Sequence, residues 1–457
     1  MRVANWVNLP FLIIVLCVTS CSANAVEILP MRDRAKFIDD ILAKRVDQLL
    51  PKLMNEHKLD MWVIISREYN EDPVIKTLLP ATWISARRTT ILVFARKNDG
   101  TIGAHAIAPY NVGHVFEKAW DKAKQPNQWL ALNALIERYK PNTIGINQSE
   151  HWAHADGLVA TNKDNLLAHL PEQYKTNLVS AEPVAIGWLE QRIPEEIAVY
   201  KDIVKLAHAI IAEAFSNKVI TPKQTTTDDV VWWLRERVVE LKLQTWFHPT
   251  VSIQRSEEVN VNHESGINND DTKVILPGDL LHVDFGISYL RLNTDTQQHA
   301  YVLKPGETEA PPYLQKALLS GNQLQDIFTG QFAQGLTGNQ VLARSRKQAI
   351  SQGLIPAIYS HPLGYHGHGA GTTLGMWDSQ QGVVGDGDYP LHLNTAYAIE
   401  LNNTIFIDAW HKDIRIMLEE DAIFDQSGVW YLNGRQTALL LIKPIIKLQS
   451  NNKLLLP

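Results

Sequence analysis

Leu280-Leu-His-Val-Asp284-Phe-Gly-Ile-Ser-Tyr-Leu-Arg-Leu-Asn-Thr-Asp295-Thr-Gln-Gln-His-Ala-Tyr-Val302 is the stretch on which the reading of this chain turns. Leu281, Val283, Phe285 and Ile287 share one parity and are apolar. His282, Asp284 and Gly286 take the other parity, which is the pattern of a strand with one face in a core. Asp295 follows eleven positions after Asp284. If the chain folds back tightly, the two acids become direct cross-strand partners with Cβ atoms about 4.5–5.5 Å apart. Like charges that close are destabilising unless a cation lies between them, and a divalent ion is the economical solution. Taken alone, the stretch also reads as an exposed hairpin whose two acids face water.

The chain around it has 457 residues, enough for two domains with a core each. Hydrophobic residues at 45% and charged residues at 20% are ordinary for a soluble globular protein. With 49 acidic against 43 basic residues and no long basic run, nucleic acid is excluded as the expected partner. At the N-terminus, Arg2 precedes the apolar run Leu12-Ile-Ile-Val-Leu-Cys-Val18, too short for a membrane span and suited to a signal peptide over residues 1–25. Val18-Thr-Ser-Cys21 resembles a bacterial lipobox, with cleavage before a lipid-anchored Cys21, and Ser22 behind it resembles an outer-membrane sorting signal. Ala23-Asn-Ala25 fits ordinary signal cleavage instead. Either way the expectation is an exported protein, periplasmic or an outer-membrane lipoprotein. The only cysteines, Cys17 and Cys21, lie in this leader, which removes disulfides, thiol nucleophiles and Cys-ligated zinc from the mature chain.

From residue 30 to about 185 the pattern alternates. A helical stripe over 31–58 precedes strands at Met61–Ile65, Thr90–Phe94 and Ile102–Ile107, the last two joined by the turn Asn98-Asp-Gly100. A helix is expected over Trp129–Tyr139 and a strand at Thr143–Ile146, so this is a first α/β domain. Nothing in it gathers acids, histidines or a glycine-rich phosphate loop, and it reads as a shaping or oligomerisation domain, with a homodimer as the candidate assembly. Ile193-Pro-Glu-Glu196 opens a long helix, and Thr225-Thr-Thr-Asp-Asp offers an N-cap for a second. Beyond them the strands at Thr250–Ile253, the opening stretch and Thr437–Ile446 make residues 190–450 an α+β domain of helices on mostly antiparallel strands.

Three further groups complete a constellation: His361 in Ser360-His-Pro-Leu-Gly-Tyr-His-Gly-His368, Glu400 in Ala396-Tyr-Ala-Ile-Glu400-Leu-Asn, and Glu419 in Ile416-Met-Leu-Glu419-Glu-Asp. One imidazole with four carboxylates is a hard, oxygen-rich set suited to Mn, Fe, Co or Zn. Four carboxylates neutralise two divalent ions, and such a pair can hold a hydroxide and clamp a tetrahedral intermediate. Glu400 is the residue least suited to a passive role, since an acid behind an apolar run is costly to bury unpaired. His361 alone reads as a turn histidine, His366 is given no role, and Glu420 and Asp421 are solvated or flank Glu419.

The order Asp, Asp, His, Glu, Glu, with this spacing of the first two, resembles the pita-bread-fold metallopeptidases. That family includes methionine aminopeptidase, aminopeptidase P and prolidase. The His-x-Leu-Gly and Glu-Glu-Asp runs and the sizeable first domain are closer to the proline-specific branch. The layout is similar over about residues 30–445, and the identifying motifs lie within 190–425. The resemblance implies a pita-bread catalytic domain preceded by a creatinase-like α/β domain. It implies Asp284 as a ligand of one metal, Asp295 and Glu419 as bridges, and His361 and Glu400 as ligands of the other. Glu400 would also be the general base, His368 would steady the oxyanion, and His263, 21 positions before Asp284, would contact the substrate amide. Two divalent ions, manganese foremost with cobalt, zinc or iron as alternatives, would hold the attacking hydroxide. The reaction implied is removal of the N-terminal residue from short peptides, including Xaa-Pro, by an aminopeptidase P-like or dipeptidase-like enzyme. A creatinase-like amidinohydrolase and a non-catalytic peptide-binding scaffold of the same fold are the rival readings.

Three departures from the family pattern bear on substrate. Leu401-Asn402 stands where Pro-Gly is usual after the Glu. Met417 stands where the proline-specific enzymes have Arg, with Arg415 further back. The loop between the two Asp has no strong turn dipeptide, so a bulge in its register is allowed.

Overall fold

Met61–Arg67 is apolar at successive positions because both of its faces are covered. Trp62 and Ile64 pack with the helices Met31–Gln48, Leu50–Glu56 and Glu182–Glu190. Met61, Val63 and Ile65 pack on the opposite side against Leu132, Leu135 and Ile136 of helix Gln128–Tyr139. The strand lies inside a six-stranded mixed sheet, antiparallel to Thr89–Arg96 and parallel to Ile144–Ile146. Thr89–Arg96 turns back at Lys97–Thr101 into Ile102–Ala106, the expected hairpin. The chain is known from a computed structural model that describes residues 27–256 and 274–444. The signal segment, His263 and residues 445–446 of the last expected strand lie outside the described residues.

Among the described residues, the second half is built on three larger sheets and a two-stranded ribbon. Leu280–Phe285 and Thr296–Val302 pair antiparallel at the centre of the first, flanked by Thr250–Gln254 and Leu440–Ile442. Helices Pro194–Ala214 and Thr227–Glu240 cover it, and Leu281, Val283, Phe285 and Ile287 are all in the core they enclose. Thr226 caps the second helix reciprocally with Asp229, each backbone N–H donating to the other side chain, at 2.8 and 3.1 Å. The other two sheets are halves of the same strands. Ile355–Ile358 continues into His361–Leu363, Thr395–Ala398 into Leu401–Ile407, and Lys412–Leu418 into Asp421–Asp425. In each case the chain crosses from one sheet to the other in two residues, which bends the layer. Helices Pro312–Thr329 and Gly338–Ser351 fill the side behind it.

The two halves meet at a buried ionic cluster. Glu196, in the first turn of helix Pro194–Ala214, accepts from Arg45 of the first domain and from Arg192 at 3.1 Å, with all three side chains essentially buried. Arg45 also donates to the carbonyls of Trp188 and Gln191. Tyr365 stacks under both guanidinium groups, 5.0 and 4.6 Å from its ring centre. Burial pushes the Glu196 carboxyl up, but the two guanidinium groups pull harder and hold it below its ordinary value. Removing one member strands the others in a medium that cannot solvate them. Glu196→Ala should lower unfolding stability by about 3–5 kcal/mol, read as a shift in the denaturant midpoint, whereas Lys36→Ala, at an exposed pair, should leave the midpoint nearly unchanged.

Candidate metal centre and active site

The site lies where the strands bend. His361 opens the strand after one crossing, Glu400 occupies the gap between Ala398 and Leu401, and Glu419 the gap before Asp421. Glu400 and Glu419 sit between the paired halves of their strands, so the neighbouring sheets can aim their side chains into one space. Ser360 splints one bend, since its hydroxyl donates to the Glu400 carbonyl at 3.0 Å and accepts from the Glu400 N–H at 2.8 Å. The first sheet joins the second bend through a two-way backbone bridge between Gln297 and Glu419, at 3.0 and 3.3 Å.

The pairing of Asp284 with Asp295 differs from the expectation. Asp284 faces Gln297, and Phe285 faces Thr296. Ser288–Tyr289 and Leu292–Asn293 keep that same register around a two-residue turn, so there is no bulge and Asp295 falls opposite Gly286, diagonal to Asp284. The turn is centred one residue later than direct pairing would need. Leu290 and Arg291 both adopt left-handed backbone, φ 54° and 67°, without a glycine between them. Leu290 is buried, and the Arg291 guanidinium donates to the carbonyls of Thr77 and Leu79 in the first domain at 3.3 and 2.9 Å. These contacts hold the turn where its own sequence would not.

Asp295, His361 and Glu419 offer ligand atoms that all lie within 4.8 Å of one another. His361 Nε2 is 3.6 Å from Asp295 and 3.8 Å from Glu419. Asp284 Oδ1, Asp295 Oδ1, His361 Nε2 and Glu419 Oε1 are buried and have no hydrogen-bond partner. His361 Nδ1 is occupied by the Pro362 carbonyl at 2.9 Å, which fixes the ring with Nε2 as the free ligand atom. Unpartnered buried oxygens and an imidazole aimed at one point are a donor set that fits a hard or borderline divalent cation. Asp284 and Glu400 flank this trio, close enough for their charges to act on Asp295 and Glu419. Burial, then the neighbouring carboxylates, raises the carboxyls of Asp295, Glu400 and Glu419 well above their ordinary value, and burial raises Asp284. Burial and the nearby His368 lower His361 to about 4, so it stays neutral and able to bind metal.

Above the trio opens a cavity of about 900 Å³ whose wall includes His361, Glu400, His368, Tyr359, Asn402, Arg415 and Met417. His368 is exposed there, edge-on to His361 at 4.8 Å and to Trp246 at 5.2 Å. Trp246 is a wedge that sequence reading missed. It donates to the Thr294 carbonyl at 2.9 Å and lies so close to Gly367 that a Cβ there would sit 2.3 Å from the indole. The first domain contributes more than shape. His151, Trp152 and His154 line the cavity, and His154 packs 4.6 Å from His366, so the expectation that this domain gathers no histidines is corrected. The run His151-Trp-Ala-His154 was its visible signal. Glu420 and Asp421 are buried, not solvated: Glu420 pairs with His208 at 2.8 Å, and Asp421 accepts from the Asp295 N–H at 3.1 Å. Asn402 and Met417, two of the departures, are direct cross-strand partners.

The sequence of residues 199–423 matches metallopeptidase family M24. Residues 199–423 belong to that family. The M24 domain has the pita-bread architecture, with an α/β domain before it, and solved structures share that two-part layout. The X-Pro aminopeptidase of Thermotoga maritima aligns over 84% of this chain and 98% of its own, at 15% identity and a TM-score of 0.59. The Xaa-Pro dipeptidase of Bacillus anthracis aligns over 89% and 99%, at 15% identity and 0.55. Zn-substituted Escherichia coli aminopeptidase P aligns over 90% and 97%, at 13% identity and 0.56. At these identities the likeness is one of fold. No curated protein shows significant sequence similarity to the chain. The M24 family is metal-dependent, and the converging trio lies inside the matched residues.

Carboxyls with raised pKa hold protons more tightly in the folded chain than in the unfolded one, so without a cation they cost stability as pH rises above their ordinary value of about 4. A bound divalent ion reverses that cost. The gap in melting temperature between metal-loaded and metal-free protein should therefore widen from about pH 5 to about pH 8. A gap that narrows over this range would contradict the placement of the cation among these acids.

Proposed function

We propose that the protein is a metal-dependent exopeptidase that removes the N-terminal residue of short peptides, including peptides with proline second. The observation that carries this is the convergence of unpartnered Asp295, His361 and Glu419 atoms, with His361 and Glu400 in the wall of a peptide-sized cavity. Asp284 and Glu400 complete a cage for two divalent ions, with manganese the first choice for a set dominated by carboxylates. Bound there, the ions would supply the Lewis acidity that activates water and polarises the scissile carbonyl. Glu400, on the cavity wall with burial raising its carboxyl, is suited to take and return a proton. His368 is placed to donate to the developing oxyanion. Arg415, exposed at the rim, is the one fixed cation among the described lining residues and suits a free peptide carboxylate.

Asp295→Ala should lose both bound metal and hydrolysis, while full activity in that variant would sink the assignment. On manganese-loaded protein, a tripeptide and a dipeptide with proline second separate aminopeptidase-like from dipeptidase-like action, and the distance of Arg415 from the cage favours the tripeptide. Equal or faster dipeptide cleavage would overturn that preference. We further propose that the enzyme is exported, either lipid-anchored at Cys21 or freed by cleavage after Ala25. Cys21→Ser should release it from the membrane fraction if the anchor is real, and unchanged partition would favour the second route.

A further inference from the structure

Gln297 occupies the position opposite Asp284 on the neighbouring strand, inside the cage and without a charge. Its side-chain N–H groups reach two carboxylates at once: Nε2 donates to Glu400 Oε1 at 2.5 Å and to Glu419 Oε2 at 2.8 Å. Its carbonyl Oε1 faces the other way and meets His282 Nε2 at 2.8 Å. An amide oxygen only accepts, so His282 must carry its proton on Nε2. The remaining ring nitrogen, Nδ1, then accepts from Ser252 at 3.5 Å. The amide has one consistent orientation. Flipping it would put its oxygen against two carboxylates, which offer it no donor when ionised. His282 and Gln297 are both buried, so no water competes for these bonds.

We infer that Gln297 is a positioning residue for the metal cage, held in orientation by His282 so that it fixes one oxygen of Glu400 and of Glu419 and leaves the others free for metal. The division of atoms supports this. Glu419 Oε2 is taken by Gln297, whereas Glu419 Oε1 has no partner and points to His361 at 3.8 Å. The same residue ties its backbone to Glu419 in both directions, so the amide has little freedom to turn away. A neutral double donor also bridges two like charges without consuming the charge that a cation needs. His299 lies beside His282 at 5.2 Å, but it serves the backbone instead: its ring bonds the Leu281 carbonyl and accepts from the Met417 N–H. This inference rests on the metal-cage reading above, not on the identity of the peptide substrate.

Calorimetric titration of the full chain with Mn²⁺ alone tests it, alongside the melting temperature of each metal-free variant. Gln297→Leu, close in volume and without donors, should weaken metal binding by about 10–100-fold. His282→Phe should produce part of that loss, His282→Gln, which can restore a donor near the Nε2 position, should recover it, and adding His282→Phe to Gln297→Leu should cost nothing further. A merely structural role would lower the metal-free melting temperature and leave the affinity unchanged, and that outcome overturns the inference. So does equal affinity in His282→Phe and wild type, which decides the matter even if Gln297→Leu fails to fold. Wild-type protein that takes up no metal would overturn the cage itself, while tight metal binding without hydrolysis would count against the proposed reaction and leave Gln297 in place.

Discussion

Everything around the site answers to one constraint: several carboxylates are buried within reach of one another. An uncompensated buried charge costs several kcal/mol, comparable with the whole stability of a domain, about 5–15 kcal/mol. The protein divides the problem. The outer acids are compensated by protein groups: Glu420 accepts the Gln436 N–H at 2.9 Å on Oε1 and faces His208 at 2.8 Å with Oε2, and Asp421 accepts the Asp295 N–H. The inner ones are not: Asp284, Asp295 and Glu419 each keep a buried oxygen with no partner. Such oxygens persist only if protons or a cation satisfy them, which makes the inner set a site and the outer set its support.

Holding the inner set open requires rigidity from outside it. Each of His361, Glu400 and Glu419 lies at or beside a strand crossing, where two sheets meet, and each crossing is tied to another element. Ser360 bonds across one crossing, Gln297 bridges a second, and the loop after His361 carries Tyr365 into the ionic cluster of Arg45, Arg192 and Glu196. The first domain is therefore part of the support of the site. It clamps the Leu290–Arg291 turn and closes the cavity with His151–His154.

Patterns with a short period were legible in sequence. The alternation around Asp284 does place Leu281, Val283, Phe285 and Ile287 in the core, and the Thr226 cap and the Lys97–Thr101 hairpin form where local chemistry asks for them. The order of acids and the histidine pointed to the family because those residues must meet whatever the intervening chain does. What failed was register. The Asp284–Asp295 pairing depends on where the turn centres, and that is decided by contacts of Arg291 with a domain more than 200 residues earlier. Gln297 escaped notice for a related reason: an uncharged residue gives no signal of its role until its two partners, over 100 residues away, are folded beside it.

The departures from the family pattern are also less independent than they look in sequence. Asn402 and Met417 face each other across adjacent strands, beside the Leu401–Leu418 pair and next to Glu400 and Glu419. The wall immediately beside the cage is thus an amide opposite a thioether, with no charge, and Asn402 accordingly turns its amide to the Tyr359 hydroxyl at 3.2 Å. Arg415 shares the strand face of Met417 but lies two residues away, about 6.7 Å along the strand. A peptide seated with its scissile bond at the cage would meet neutral surface first and a cation only further out. On the proposed exopeptidase reading, that order of contacts would disfavour a substrate whose carboxylate sits one residue from the cleaved bond and accommodate a longer one.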